Sequence, residues 1–181
     1  MQFALDLLVS VVGLVVFAQH VWALRGHFVS TEMNNGARGI ALMAIAAALY
    51  YLGLTWALPQ PPAAQLVGAV IALSSLALFW AAVGASRRAR LRYVFDEGRP
   101  ETLVTEGPYR VVRHPFYTSY IIYWVGWAIA TWSVWSIPPL LVIAVVYTLA
   151  ARFEERLFAG TPLAGAYDTY RRQAGLFWPR F

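Results

Sequence analysis

Long uncharged stretches dominate the hydropathy pattern of this 181-residue chain. Gly39–Leu58 and Ala63–Ala85 contain no charged residue, and Phe3–Leu24 contains only Asp6. About 20 apolar residues suffice to cross the hydrocarbon core of a bilayer, so each stretch predicts a transmembrane helix. Phe3–Leu24 also lacks the positively charged beginning of a signal peptide, and we expect it to be retained as a span.

The longest uncharged stretch, Phe116–Ala151, is long enough for two helices, with a break expected around Trp132–Pro139. The pattern therefore predicts an all-α integral membrane protein of about five transmembrane helices in one domain, residues 1–181. Residues 1–85 form a three-helix scaffold in this prediction, to which we assign no chemistry. Pro59, Pro61 and Pro62 make a tight connection, and we expect the helices on either side of it to pack as a hairpin.

The positions of the charged residues add an orientation to this prediction. The chain carries a net charge of +5, and all fourteen basic residues are arginine. Under a five-span topology every arginine falls on one side of the membrane, which predicts an outside N-terminus and a cytoplasmic C-terminus. We interpret the arginine-rich loop that begins at Arg87 as a topology signal rather than a binding surface for anionic lipids. The same sorting excludes nucleic acid as the reason for the charge, so we expect a lipid bilayer as partner and no nucleic acid.

The lack of cysteine and the small number of histidines limit the kinds of catalysis and metal binding that the chain can support. There is no cysteine, which excludes disulfides, thiolate catalysis and cysteine metal sites. The three histidines are far apart and lack the spacing of a zinc site, and we expect no metal.

Two polar clusters border the stretch Phe116–Ala151. Residues 107–117 read GPYRVVRHPFY, and Glu154-Glu155 follows the stretch. If the chain crosses the bilayer and returns, both clusters lie on the same side and can form one site. Proline suits the first turn of a helix, so His114-Pro115 marks a helix entrance, where backbone N–H groups favour a carboxylate. The ring of Tyr117 would attract a cation.

These motifs resemble the integral membrane methyltransferases related to isoprenylcysteine carboxyl methyltransferase and the phospholipid methyltransferases. The resemblance covers Leu103–Phe181 and includes Tyr167, Tyr170 and Pro179. It implies that residues 86–181 are a cofactor-binding half with a cytoplasmic pocket for S-adenosylmethionine. The cofactor-binding residues it implies are Gly107, Tyr109, Arg113, His114, Pro115, Tyr117, Glu154 and Glu155.

The resemblance also suggests catalytic roles for Arg152 and Glu155. On a helix these two residues share a face, and the guanidinium of Arg152 matches an anionic group of the methyl acceptor. A solvated ion pair beyond the membrane is the alternative. One position departs from the family: Ser119 stands where many relatives have glycine, which leaves less room beside the fourth span. The aromatic tail Leu157–Phe181 is expected on the membrane surface or folded over the pocket.

The acceptor is not determined by these residues. An apolar membrane enzyme suggests a lipidic or lipid-tethered acceptor, and O-methylation of an isoprenylcysteine-like carboxylate is favoured. N-methylation of a phospholipid amine is the alternative, because a nearby glutamate or histidine could take the amine proton. Two further classes stay open, an NADPH-dependent sterol-type membrane reductase and a non-enzymatic membrane scaffold.

Overall fold

A computed structural model describes residues 1–24, 34–87 and 102–180 of the chain. Its regular elements in these ranges are all helices, which confirms the all-α prediction. Short 3₁₀ turns occupy Gly107–Arg110, Val134–Ser136 and Phe158–Gly160. The α-helices in chain order are α1 (Gln2–Leu24), α2 (Asn35–Ala57), α3 (Pro62–Ser86), α4 (Pro115–Thr131), α5 (Ile137–Leu157) and α6 (Ala164–Gln173).

Local sequence explains where several helices begin and end. The side chain of Asn34 accepts a 2.8 Å hydrogen bond from the backbone N–H of Ala37 and so caps α2. Prolines stand in the first turns of α3, α4 and α5, where a missing N–H costs nothing. Helix α4 stops at Trp132, which adopts a left-handed conformation with φ of 44°. The break expected around Trp132–Pro139 is therefore where the sequence indicated.

Four helices of the described ranges are long and apolar enough to cross a membrane. These segments are Gln2–Trp22, Asn35–Ala57, Pro62–Ser86 and Val134–Gly160. Helix α4 has 17 residues, the short end of the range of about 17–25 for a membrane helix. The expected count of five spans is thus not confirmed, and the side on which each terminus lies stays a prediction.

Helix α3 packs most closely on α4 and then on α1. The expected α2–α3 hairpin is therefore wrong: the short connection joins the two helices, but their close neighbours are elsewhere. The reason is the small residues of α3, which allow the closest approach to α4. A Cβ atom on Gly68 would lie 2.4 Å from the carbonyl oxygen of Gly126, and one on Gly126 would lie 2.6 Å from the backbone nitrogen of Ala72.

The core of the bundle is aromatic. Trp124 and Trp127 of α4 stack with ring centroids 6.2 Å apart, and Tyr51 of α2 packs against both of them. The hydroxyl of Tyr51 donates a 2.7 Å hydrogen bond to the carbonyl of Ser136, which ties α2 to the turn before α5. Buried tyrosine and tryptophan thus supply packing area together with satisfied polar tips.

Candidate active site

The segment before α4 forms a sharp turn that only glycine adopts without strain. Gly107 has a φ of 55° and opens the 3₁₀ turn Gly107–Arg110. A Cβ atom at Gly107 would also lie 3.0 Å from the Cβ of Ala85. The turn buries Tyr109 and leads the chain into His114-Pro115 at the start of α4.

The C-terminal tail folds over this segment. The backbone N–H of Arg113 donates to the carbonyl of Gly175 at 2.8 Å, and that of Gly175 donates to Val111 at 3.1 Å. The Tyr170 hydroxyl donates a 2.7 Å hydrogen bond to the carbonyl of Tyr109. Of the two placements expected for the tail, the structure shows contact with the motif segment.

His114 takes part in the same contact between the motif segment and the C-terminal tail. Its backbone N–H donates to the carbonyl of Leu176 at 3.2 Å. The backbone N–H of His114 is therefore already used within the chain. The contribution of His114 to a ligand site comes instead from its imidazole.

The two adjacent glutamates of α5 have different surroundings. Glu155 is buried, and its Oε1 receives a 2.7 Å hydrogen bond from Nε of Arg113 while its Oε2 lies 3.3 Å from Nη1 of Arg152. Glu154 is partly exposed, and its Oε1 accepts a 2.6 Å hydrogen bond from the hydroxyl of Tyr117. Adjacent positions on a helix point about 100° apart, which separates the two carboxylates.

Arg113 is held from several directions. Besides its bond to Glu155, its guanidinium donates to the backbone carbonyls of Ala174 and Arg171. A buried guanidinium with a carboxylate and two carbonyls is well satisfied. Arg113 and Glu155 therefore connect α5, the motif segment and the tail.

The imidazole of His114 lies between the glutamates. Its Nδ1 is 3.5 Å from Oε2 of Glu154 and its Nε2 is 3.5 Å from Oε1 of Glu155, which are ion-pair distances rather than direct hydrogen bonds. Burial by itself lowers the pKa of His114, but the two carboxylates outweigh it, and the net pKa is raised above the ordinary value. The charged imidazolium is thereby favoured.

A cavity of about 480 Å³ lies beside this cluster, a size within the range of about 300–1,000 Å³ typical of ligand pockets. One end is polar and carries His114, Tyr117 and Glu154. The other end is apolar and is walled by α1 and α2. Its residues there include Phe17, Val21, Ile40, Ala41, Ala44 and Ile45.

The predicted residues divide between this cavity and its surroundings. Six of them line it: Tyr109, Arg113, His114, Pro115, Tyr117 and Glu154. Gly107 shapes the turn behind it. Glu155 and Arg152 line a second depression on the other side of α5, together with Arg156 and Arg171. The structure therefore brings the motif and Glu154 together, and it leaves Arg152 away from the main cavity.

Three further residues that line the cavity were not predicted from the sequence: Tyr120, Tyr147 and His20. Tyr120 follows Tyr117 by one helical turn, so the i, i+3 spacing could have identified it. Tyr147 stacks on Tyr117 with centroids 5.5 Å apart, a contact across helices that spacing does not show. His20 lies in a scaffold helix, yet it lines the cavity, and an ionisable residue in a membrane span was the available signal.

Two buried polar atoms at the polar end have no hydrogen-bond partner within the described ranges, Nε2 of His114 and the hydroxyl of Tyr167. Both residues line the cavity. Buried polar groups in native proteins are normally satisfied, and the polar group next to both of these atoms is the carboxylate of Glu155, which lies 3.5 Å from Nε2 of His114. A carboxylate, phenols and aromatic rings around one space also suit a ligand with hydroxyl groups and a positive charge.

The apolar helices and this motif-lined cavity define a class, the helical membrane proteins with an internal cavity that is polar at one end and apolar at the other. Comparison with protein families matches residues 63–161 to the phospholipid methyltransferase family. The match covers more than half of the chain, and the protein belongs to that family, in the isoprenylcysteine carboxyl methyltransferase-like group. It is thus a methyltransferase of the membrane-embedded kind. Comparison with curated proteins found no match.

Proposed function

We propose that the protein transfers a methyl group from S-adenosylmethionine to an amphiphilic acceptor that it takes from the bilayer. The observation that carries this proposal is the cavity whose polar end holds the motif residues and whose apolar end is walled by α1 and α2. A cofactor with hydroxyl and amino groups fits the first end, and an alkyl or prenyl chain fits the second. Membership of a methyltransferase family is consistent with one end for the cofactor and one end for the acceptor.

The cofactor would be held by the side chains at the polar end. Glu154 can accept hydrogen bonds from hydroxyl or amino groups, and the imidazole of His114 and the hydroxyl of Tyr167 lie at the same end of the cavity. The stacked rings of Tyr117 and Tyr147 provide faces that attract a positive charge. When bound, S-adenosylmethionine supplies an electrophilic methyl group on a sulfonium. The residues of the chain align this group and exclude water.

Glu155 has a supporting role in this proposal. Its carboxylate positions Arg113 and lies beside His114, so it acts through these neighbours rather than in the cavity. Arg152 pairs with Glu155 from the far side with half of its side chain exposed. Arg152 lines the second depression and not the cavity, so it has no part in holding the acceptor.

Two acceptor types are compatible with the cavity. The sequence resemblance favours an isoprenylcysteine-like carboxylate. Within the described ranges, however, Arg113 is the single arginine that lines the cavity, and it is already paired with Glu155. An acceptor carboxylate would meet Glu154 without a guanidinium to compensate, whereas the aromatic rings suit an ammonium, whose proton Glu154 could take before the nitrogen accepts the methyl group. This observation supports the second candidate, a phospholipid amine.

Calorimetry on the purified full chain tests the cofactor. We expect S-adenosylhomocysteine to bind and NADPH not to bind, and we expect His114→Ala to weaken binding roughly ten- to a hundredfold, the range for loss of one hydrogen bond to a charged group. Binding of NADPH would indicate a reductase, and binding of neither would indicate a scaffold. Transfer of radiolabelled methyl to phosphatidylethanolamine or to S-farnesyl-N-acetylcysteine then separates the two acceptor types.

A further inference from the structure

His20 is a buried ionisable residue in the membrane helix α1, and it lines the cavity. His20 is 5% exposed. Aromatic rings surround the imidazole: the centroid of Phe79 is 4.7 Å away, that of Tyr120 is 5.0 Å away and that of Tyr123 is 5.5 Å away. Nε2 of His20 has no hydrogen-bond partner in the parts of the chain that the structure describes.

Asp6 is the other buried ionisable residue of α1, and its carboxylate has hydrogen-bond partners within the bundle. Oδ1 of Asp6 accepts hydrogen bonds from Nε2 of Gln2 at 2.8 Å and from Nε2 of Gln65 at 2.6 Å. Ionisable residues within membrane helices are rare, normally have polar partners and often mark functional pathways. Asp6 has the amides of Gln2 and Gln65 as partners, whereas Nε2 of His20 is open beside the cavity, so His20 is the one of the two with an atom available to a ligand.

The position of His20 within the cavity indicates which part of a bound ligand its imidazole would contact. The ring of Tyr120 contacts His20 on one side and Tyr117 on the other, at a centroid distance of 6.2 Å. Tyr117 in turn donates to Glu154. The cavity residues that α1 and α2 contribute around His20 are otherwise apolar: Phe17, Val21, Ala37, Ile40, Ala41, Ala44 and Ile45. His20 therefore marks the boundary between the apolar end and the polar end.

We propose that His20 binds the reacting head group of the methyl acceptor through Nε2, with the hydrophobic tail of the acceptor along α1 and α2. This inference rests on the proposed methyl transfer and adds a residue to its acceptor side. A neutral imidazole nitrogen accepts a hydrogen bond from an amine head group and can take the proton that the amine must lose to accept the methyl group, and in the other tautomer it donates a hydrogen bond to a carboxylate, which has no proton to lose. Only the ring of Tyr120 separates a head group at His20 from Tyr117. The acceptor is then next to the end of the cavity where the cofactor is proposed to bind.

The test compares three variants of the full chain in lipid nanodiscs. His20→Phe keeps a ring of suitable size in the aromatic surroundings and removes both nitrogens, and His20→Gln keeps a hydrogen-bonding group. Trp22→Phe, two residues later on α1 at an exposed position that does not line the cavity, is the matched aromatic control. Each is assayed for S-adenosylhomocysteine affinity and for kcat/KM with phosphatidylethanolamine and with S-farnesyl-N-acetylcysteine.

We expect His20→Phe to lower kcat/KM for the acceptor that the wild type methylates by roughly ten- to a hundredfold, with cofactor affinity unchanged within about twofold. His20→Gln should recover part of the loss, and Trp22→Phe should lose less than about threefold. Thermal unfolding establishes that each variant is folded, and His20→Leu replaces His20→Phe if the larger ring disrupts packing.

Wild-type kcat/KM in His20→Phe would overturn the inference, because a structural histidine tolerates a ring of similar size. An equal loss of cofactor affinity would overturn it as well, since His20 would then act on the cofactor or on the fold. A wild type that binds S-adenosylhomocysteine and methylates neither amphiphile contradicts it. A wild type that does not bind S-adenosylhomocysteine refutes the proposed function itself, and the inference with it.

Discussion

Glu154 and Glu155 are neighbours in sequence, but their carboxylates meet different groups. Glu154 lines the cavity and bonds with Tyr117, whereas Glu155 is buried against Arg113. The side chains of Arg113 and Glu155 are 7% and 5% exposed, so neither charge is solvated by water. Removing one partner of such a pair leaves the other charge buried without compensation.

We predict opposite phenotypes for the two glutamine variants. Glu155→Gln should lower the free energy of unfolding by about 3–5 kcal/mol, because the guanidinium of Arg113 loses its carboxylate. Glu154→Gln should change stability little and weaken S-adenosylhomocysteine binding by about 1.5–3 kcal/mol, the contribution of one hydrogen bond to a charged group. Thermal unfolding and calorimetry on the same preparations measure both quantities, and each variant is the control for the other. The reverse pattern would show that Glu155 is the cofactor ligand.

The raised pKa of His114 predicts how stability depends on pH. Burial opposes the charge of this imidazole, and the carboxylates of Glu154 and Glu155 outweigh burial, so the folded state binds the proton more tightly than the unfolded state. This contribution is complete below the unfolded pKa of about 6.5 and is lost as the pH rises through the folded pKa. The stability difference between wild type and His114→Gln should therefore shrink from pH 6 towards pH 9. Melting curves of the ligand-free proteins across this range measure it, and a difference that grows with pH would contradict the assignment.

At the scale of the elements, close approach of α3 and α4 determines the shape of the bundle. Gly68 and Gly126 meet across the interface, where an added methyl group would have to move backbone rather than a flexible side chain. Gly84 of the same helix α3 has nothing within 4 Å of its would-be Cβ atom. The helix thus contains one glycine that packing requires and one that it does not.

We expect Gly126→Ala to destabilise the protein by about 1–3 kcal/mol, the usual cost of overpacking a well-packed contact. Gly84→Ala is the matched control. It should be neutral or stabilise by up to about 1 kcal/mol, because alanine loses less backbone entropy in a helix than glycine does. Thermal unfolding in detergent compares the two. Equal effects of both substitutions would mean that α3 and α4 are not in this close contact.

The tail is the second element that matters for the site. Gly175 and Leu176 pair with the motif segment through backbone hydrogen bonds and an isolated parallel bridge between Val112 and Gly175. Backbone pairing of this kind depends on chain direction and little on side-chain identity. This explains why the aromatic content of the tail did not distinguish a surface position from contact with the motif.

For the whole molecule, the cavity joins residues from both halves of the chain and places the two polar clusters at one end of the bundle. Thr102 lines the cavity near the start of the motif segment, and Thr169 is exposed on α6. In a chain that spans the membrane, both positions then belong to the same side. The arginine distribution makes that side the cytoplasm in our proposal.

Labelling of single cysteines tests this orientation, and the chain has no cysteine of its own to interfere. In oriented membrane vesicles, Thr102→Cys and Thr169→Cys should react with an impermeant maleimide from the cytoplasmic face only. Ala63→Cys, in the exposed first turn of α3, should react from the opposite face and serves as the control. Labelling of Thr102→Cys and Thr169→Cys from opposite faces would exclude the shared site.

The sequence by itself determined the class of fold and the composition of the polar end. Uncharged stretches of about 20 residues are helices in a membrane for a local reason, since no other backbone satisfies its own hydrogen bonds there. The proline of His114-Pro115 and the left-handed turn at Trp132 are likewise local, and they bound α4 where the pattern indicated. The family match over residues 63–161 agrees with the motifs quoted from the chain alone.

Only the tertiary structure decided which carboxylate faces the cavity, which helix packs on α3 and which scaffold residue reaches the site. Adjacent glutamates look equivalent in a sequence, and their roles separate through the rotation of α5 against Arg113 and Tyr117. The position of His20 beside Tyr120 depends on a contact between residues 100 positions apart in the chain. Packing of this kind comes from the summed fit of many side chains, and hydrophobic periodicity, which reports only what each helix buries, carries no information about the partner.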